Sequence, residues 1–518
     1  MPGTDEVADG VITPLAALAR RAARDPDAEL VRFSDGARIG VGEVAAGARG
    51  LAERLAGLVP RGSAVATCLA PGPAAVETIF ALAVLGAVEV PVAADLPAPP
   101  VRALLATTGA SVALVDAHTD PERVAVLREV GPVLVVGDAG GTPARHVLDE
   151  PRRPVDRPAP EPGDPLAVMS TSGTTGRAKA AVLPHFAALR QACTVTAAMG
   201  YGPGDVLFNV FPWHHINVRH AGLLPALLSG ATLVAHPRFT ASGFWAICRA
   251  EGVTAFNFMG AMLAILERRP PAPDDEVHAV RRAYGAPAPP DLADRFRDRF
   301  GVLALEAYAC TELADVAIST PRHRRPGTAG RVVPEYEVAI IDDAGRPVPA
   351  GEVGQIAARP RAAHVAFLGY AGESPFPAGG WFTTGDRGRV DADGYLAFAG
   401  RRADVVRRRG ENVAAWDVEE VVRAMPGVVD VAVVGVDAEL TEQEVLAAVV
   451  ADGPGVTAGA VRAWCAGRLP RHAVPRYVRL LAELPRTASG KVRKPALAAE
   501  GVTADTGDGE VDPCASST

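Results

Sequence analysis

Short apolar runs alternate with helix-length stretches from about residue 10 to about residue 330. "SAVATCLA" (63–70) reads as a strand and "AAVETIFALAVLGA" after it as a helix, and "VEVPVA" and "SVALVDA" are further strands. The rhythm returns in "DVLFNVF", the helix-like "VRHAGLLPALLSG", "ATLVAH", the helix-like "SGFWAICRAEG" and "VTAFNF". Strands alternating with helices predict βαβ units, hence an α/β fold of doubly wound, mainly parallel sheets. From 330 to 399 the texture changes. "YEVAIIDDAGRPVPAGEVGQIAA" and "GRVDADGYLAFAG" are short strands broken by Asp-Gly and Ala-Gly turns, which predict a β-meander or distorted β-barrel. After Gly400 a small α+β domain follows: a helix at "AWDVEEVVRAM", strands at "VVDVAVVGV" and "EVLAAVV", a helix at "AGAVRAWCAGRL" and a strand at "RYVRLLAEL". The large domain is therefore placed at 1–399 and the small one at 405–500. The Pro-rich stretch 149–165 reads as an unstructured connector and 501–518 as a flexible polar tail.

Composition narrows the class. A chain of 518 residues is too long for one core, and 48% hydrophobic with 22% charged residues is ordinary for a soluble globular protein. The net charge of −8 argues against nucleic-acid binding. No apolar run reaches the roughly 18 residues of a membrane span. The acidic start, "MPGTDEVADGVITP", lacks the features of a signal peptide. Six cysteines without a C-x-x-C pair read as free thiols in a reducing compartment, so a cytoplasmic location is expected. One bias stands out. Of 52 basic residues only Lys179, Lys491 and Lys494 are lysine.

Lys179 closes "LAVMSTSGTTGRAK" (166–179), an apolar strand-like run entering a Gly- and hydroxyl-rich loop. Glycines let backbone N–H groups turn inward into an anion-binding concavity, the hydroxyls add donors, and the ammonium adds a point charge. The set suits a polyphosphate, although the spacing is not that of a Walker A loop. Alone, such a loop can also be read as a flexible surface segment, the less favoured of the two readings.

"STSGTTGRAK" resembles the phosphate loop of the adenylate-forming superfamily, which includes acyl-CoA synthetases, luciferases and the adenylation domains of nonribosomal peptide synthetases. The usual loop is T-S-G-T-T-G-x-P-K-G; here Ala178 and Ala180 replace the proline and the last glycine. "YGAPAPP" (284–290), "YACTE" (308–312), "WFTTGDRGRVDADGYLAFAGR" (381–401), "RRGENVAAWDVEE" (408–420) and "PRTASGKVRK" follow in the family's order. Within the family, "SGFWAICRAEGVTAFNFMGAMLAIL" most resembles carnitine/crotonobetaine-CoA-ligase-like members.

The resemblance implies ATP-dependent activation of a small carboxylic acid as an acyl-adenylate, with release of pyrophosphate and transfer to coenzyme A. One anion must approach another, so cations and donors are needed where negative charge accumulates. Thr171, Ser172, Gly173, Thr174, Thr175, Gly176 and Lys179 would hold the phosphates. Thr311 would contact the α-phosphate and Glu312 would hold Mg2+, a hard cation that prefers oxygen. Tyr308 with Gly285, Ala286 and Pro287 would flank the adenine; Asp386, with Arg401 nearby, would take the ribose hydroxyls. Lys491 would reach the substrate carboxylate and α-phosphate during adenylation, where a slim ammonium enters and a planar guanidinium does not. Lys494 reads as a solvated charge at a helix start. Residues 400–404 would be the hinge of a mobile C-terminal domain; where many relatives carry Asp or Lys this chain has Ala403.

The acyl pocket is less defined. "FPWHHINVRH" (211–220) aligns with the family's P-L-F-H segment, making His215 the matching histidine and His214, Asn217 and Arg219 candidate pocket residues. No Cys or acidic residue at ligand spacing accompanies the histidines, which disfavours a metal there. Arg219 faces water, a protein carboxylate or an anionic group of the substrate. With no acid between His214 and His220, a small polar or dicarboxylic substrate is expected unless a partner comes from elsewhere. Cys310 occupies the variable position of its motif and reads as a packed thiol. Alternative acceptors are an amine or a carrier protein in secondary metabolism, and a distant variant activates a small inorganic acid such as nitrite for N–N bond formation. Membrane and nucleic-acid partners are not expected, and the oligomeric state is open.

Overall fold

The computed structural model describes residues 13–138, 144–171, 179–373, 375–376, 379–408, 411–437, 443–453, 455–487 and 490–508. The chain divides into two compact units. The first is Met1–Leu263, Pro270–Glu337 and Arg359–Trp381; the second is Ala264–Arg269, Val338–Ala358 and Phe382–Thr518.

The alternating rhythm of the first unit folds as two sheets. In the eight-stranded sheet, Gly369–Tyr370 is followed by Lys179–Pro184, Pro165–Thr171, Val88–Pro91, Ala64–Cys68, Val112–Val115, Val133–Val135 and Arg145–His146. Val88–Pro91 and the strands beyond it pair in parallel; the Gly369–Tyr370 end is antiparallel. The nine-stranded sheet has a parallel centre (Glu29–Phe33, Thr232–Ala235, Val206–Asn209, Ala255–Met259, Arg282–Ala286 and Leu303–Cys310) and antiparallel strands at both edges. The central strands read as unbroken apolar runs because they are covered on both faces. Helix Pro73–Leu85 starts on a proline at its first position and ends at Gly86, whose φ of 60° is left-handed and suits glycine. "VRHAGLLPALLSG" is helical, as expected, but with a wider π turn at Arg219–Leu223 between Ile216–Val218 and Leu224–Ser229.

Several expectations change. Residues 151–161 carry no helix or strand, yet the connector is strapped down. Arg153 N–H donates to Glu53 O at 2.8 Å, and Arg157 donates to Leu85 O and Ala56 O at 2.9 and 3.0 Å. The expected barrel is instead an open four-stranded sheet, in the order Tyr336–Ile341, Gly354–Pro360, Phe382–Val390, Leu396–Arg401.

In the second unit, strands Val428–Asp437, Gln443–Ala451, Tyr477–Leu481 and Thr506–Asp508 form one sheet. Alternate residues serve opposite faces. Val431, Val433, Val445, Ala447 and Val449 pack with Val418, Val422, Val461 and Cys465 of helices Ala415–Arg423 and Ala458–Ala466. Ala432, Val434, Leu446 and Ala448 pack with Leu484 and Leu497. Thr506–Asp508 is thus an edge strand rather than tail, held also by Arg476 to Asp508 at 3.1 Å. Lys494 is not a solvated charge. Its ammonium lies 2.7 Å from Asp404 and 2.8 Å from Glu419, whose carboxylate also accepts the Val433 N–H. Lysine's compact head lets one charge serve two carboxylates. Lys494→Ala is therefore expected to lower stability by about 2 kcal/mol, between the values for exposed and buried pairs. A denaturant titration with an unchanged midpoint would contradict this.

Candidate active site

Lys179 is placed by strand register. Pro165–Thr171 and Lys179–Pro184 pair antiparallel with Thr171 opposite Lys179, so Thr171 and Lys179 flank the loop. Thr171 Oγ1 donates to Lys179 O at 3.4 Å. Ser172, Gly173, Thr174, Thr175 and Gly176 lie outside the described residues. The Lys179 ammonium sits 4.3 Å from the centre of the Tyr370 ring and 3.7 Å from Glu373 Oε1. Tyr370 in turn donates its hydroxyl to Glu312 Oε1 at 2.8 Å. Burial and the Glu312 carboxylate push the phenol well above its ordinary pKa, so it stays a donor. Glu312 follows Thr311 in the turn between strands Leu303–Cys310 and Ala314–Ile318, and its carbonyl accepts the Phe367 N–H at 2.7 Å. Among the described residues, Glu312 Oε2 accepts no hydrogen bond and the Lys179 ammonium donates none. An oxygen ligand with a spare lone-pair face and an ammonium with spare protons fit a hard divalent cation and a phosphate.

Gly285, Ala286 and Pro287 end strand Arg282–Ala286. A Cβ on Gly285 would lie 2.0 Å from Phe258 O, so only glycine fits between the neighbouring strands. Tyr308, on the adjacent strand, is buried. Beneath them Tyr284 donates to the fully buried Asp315 at 2.5 Å. Burial raises that carboxyl to about 6.

The His214–Arg219 segment needs a correction. Arg219 is buried and paired: its guanidinium grips Glu89 at 2.5 and 3.0 Å, and its Nε–H donates to Trp213 O at 2.6 Å. Thr67 donates to the same carboxylate at 2.6 Å. The partner comes from strand Val88–Pro91, so the argument for a polar or dicarboxylic substrate lapses. Asn217 is also committed, its side-chain oxygen accepting from Asn209 and Asn257 at 2.9 and 2.7 Å. His215 Nδ1 accepts the Asn217 N–H at 3.1 Å and caps the short helix, which leaves its proton on Nε2. His214 is partly buried; burial and Arg219 lower its pKa, against the pull of Asp95.

In the second unit, Asp386 and Arg401 are cross-strand partners, with Nε 3.5 Å from Oδ1. Both lie within strands, Phe382–Val390 and Leu396–Arg401. Residues 402–404 form a single 3-10 turn, and the side chain of Ala403 lies outside the described atoms. Lys491 is exposed; its N–H donates to Thr487 Oγ1 at 3.1 Å and its carbonyl accepts the Thr487 N–H at 2.8 Å. Sequence reasoning missed Tyr370, Glu373 and Glu89. Only Glu89 carried a signal: it is the single charge in the apolar run "VEVPV".

Paired, largely parallel sheets that bring Lys179, Tyr370 and the half-buried Glu312 together define an α/β protein with a charged site at a sheet edge. The AMP-binding enzyme family model matches residues 18–370 and the AMP-binding enzyme C-terminal domain matches residues 417–491. The chain belongs to the AMP-binding enzyme family. It is 33% identical to an indoleacetate–CoA ligase of Aromatoleum aromaticum over 86% of this chain and 90% of that protein. It is 32% identical to a crotonobetaine/carnitine–CoA ligase of Salmonella paratyphi C over 65% of this chain and 67% of that protein. ATP-bound MatB from Rhodopseudomonas palustris has the same fold, with a TM-score of 0.82 and 25% identity over 94% of this chain and 99% of that one. No helix among the described residues is long and apolar enough to cross a membrane.

Breaking the Glu89–Arg219 pair strands a buried charge. Arg219→Met and Glu89→Gln are each expected to cost about 3–5 kcal/mol, and the double substitution less than their sum. Additive losses in a denaturant-melt cycle would show that the pair is not coupled. The buried histidines set a pH dependence. Burial lowers His185 to about 4, and burial with Arg219 lowers His220 to about 3. The unfolded chain thus binds more protons below about 6.5, and stability, full above that pH, falls as pH drops toward 4. Between pH 6 and 4 the wild-type slope is expected to exceed that of His220→Gln by about 1.4 kcal/mol per pH unit. Equal slopes would contradict the assignment.

Proposed function

We propose that this protein activates a carboxylic acid with ATP and passes the acyl group to coenzyme A. The observation that carries the reading is the Lys179–Tyr370–Glu312 chain, which leaves one ammonium and one carboxylate oxygen without hydrogen-bond partners among the described residues, with Lys179 closing a sequence suited to phosphate. Lys179 and the hydroxyls of 171–176 take the β- and γ-phosphates, Thr311 the α-phosphate, and Asp386 with Arg401 the ribose. Tyr308, Gly285, Ala286 and Pro287 receive the adenine. Glu312 would hold Mg2+, which when bound would supply positive charge against the phosphates. The acid's carboxylate oxygen attacks the α-phosphorus, and the bond to the pyrophosphate bridging oxygen breaks. Lys491 neutralises charge between the two anions in that step, and the segment 400–404 pivots before the second. The thiol of coenzyme A then attacks the acyl carbonyl and AMP leaves.

Coenzyme A is favoured over an amine, a carrier protein or a route through nitrite because both relatives above are named as CoA ligases. Their acids differ, one aromatic and one zwitterionic or cationic. With Arg219 spent on Glu89, the substrate is a small carboxylic acid bound near His214 and His215 without a guanidinium partner from Arg219. Residues 405–500 act as the lid that carries Lys491.

With an accepted acid, ³¹P NMR is expected to show AMP and pyrophosphate; stoichiometric ADP and phosphate would sink the reading. Lys491→Ala is expected to lose adenylation by about a hundredfold or more, typical of a deleted electrostatic contact, and to keep transfer from supplied acyl-adenylate. Equal loss in both half-reactions would contradict a role confined to the first. Lys491→Arg is expected to be poor as well, because the guanidinium is too broad.

A further inference from the structure

One side chain, Tyr370, meets both the carboxylate and the ammonium of this site through different atoms. Its hydroxyl donates to Glu312 Oε1 at 2.8 Å, and its ring faces the Lys179 ammonium at 4.3 Å. The backbone repeats the connection. Tyr370 pairs antiparallel with Ala181, Ala371 N–H donates to Ala180 O at 2.8 Å, and Phe367 N–H donates to Glu312 O at 2.7 Å. The segment 367–371 therefore clamps the strand that begins at Lys179 on one side and the Thr311–Glu312 turn on the other. The Phe367 ring, 5.0 Å from that of Tyr370 at a steep angle, fixes the phenol's orientation.

We propose that Tyr370 is a positioning residue for the metal–nucleotide complex: its hydroxyl orients Glu312 for a divalent cation and its ring seats Lys179 for phosphate. The inference rests on reading Glu312 and Lys179 as nucleotide-binding groups. A glutamate on a flexible stem samples several rotamers. A bond to one oxygen selects the rotamer and leaves the other oxygen to ligate, as outer partners of metal ligands commonly do. A lysine loses about as much rotamer freedom when a phosphate captures it, and a ring beneath it removes part of that cost beforehand. The two roles sit on different atoms, so chemistry can separate them.

The test is equilibrium binding of ATP to the full chain at a series of Mg2+ concentrations and in EDTA, with no acid present, for wild type, Tyr370→Phe, Tyr370→Leu, Glu312→Gln and Tyr370→Phe/Glu312→Gln. Tyr370→Phe loses one oxygen and keeps the ring packing, and thermal melts check that each variant is folded. Tyr370→Phe is expected to raise the Mg2+ needed for half-maximal enhancement of binding by about tenfold, as for loss of an outer partner, and to leave ATP binding in EDTA unchanged. Tyr370→Leu is expected also to weaken binding in EDTA, by about threefold, the size of a partly exposed cation–ring contact. In the Glu312→Gln background Tyr370→Phe is expected to change nothing further. A wild-type Mg2+ dependence in Tyr370→Phe, or an undiminished effect without Glu312, would overturn the proposal and leave the nucleotide reading standing. A wild-type chain that binds ATP neither with nor without Mg2+ would overturn that reading itself.

Discussion

The antiparallel pairing that sets Thr171 opposite Lys179 is the constraint on which the site depends. A strand pair has a side-chain period of two, and a slip of one residue would turn Lys179 to the other face. That register fixes where the ammonium emerges. The next strand, Gly369–Tyr370, is fixed on the same edge, and Tyr370 reaches from it to Glu312. Three segments far apart in sequence thus meet through backbone ladders, with side chains adding the last contacts. A fold that held these groups on independent loops would have to order each separately when nucleotide binds.

A second constraint lies under the His214–His215 segment. Strand Val88–Pro91 is wholly buried, and Glu89 is tolerated there because Arg219 and Thr67 satisfy it. Such a pair is weak as a source of stability, since desolvation offsets the attraction, but removing either member leaves an uncompensated charge. Its effect is positional: the guanidinium also holds Trp213 O, one residue before His214, and so ties the loop to a central strand of the eight-stranded sheet. The same economy appears in the second unit, where Lys494 joins Asp404 to Glu419. Of the three lysines in an arginine-rich chain, this one has a structural reason visible in its contacts.

Local order was legible where hydrophobic spacing alone decides it. "VEVPV", "VTAFNF" and "VVDVAVVGV" are strands because they are covered on both faces, and "AAVETIFALAVLGA" is a helix bounded by proline and glycine. The α/β class followed from that alternation, and "STSGTTGRAK" with its companions pointed to the family. What depended on long-range contacts was not legible. Arg219 looked unpaired because Glu89 lies 130 residues away in sequence. Residues 149–165 looked loose because arginine-to-carbonyl bonds leave no periodicity. Thr506–Asp508 looked like tail because a three-residue edge strand is too short to carry a pattern. The expected barrel is an open sheet, since turn residues announce hairpins and not closure. Tyr370 belongs to no motif that chemistry alone would single out; its importance comes from what it touches.

The central claim is that the substrate's carboxylate attacks the α-phosphorus of ATP. It is tested most directly by supplying an accepted acid labelled with ¹⁸O in both carboxylate oxygens and analysing the AMP by mass spectrometry. The account predicts that AMP carries one ¹⁸O and pyrophosphate carries none. Unlabelled AMP, or label found in inorganic phosphate, would contradict it.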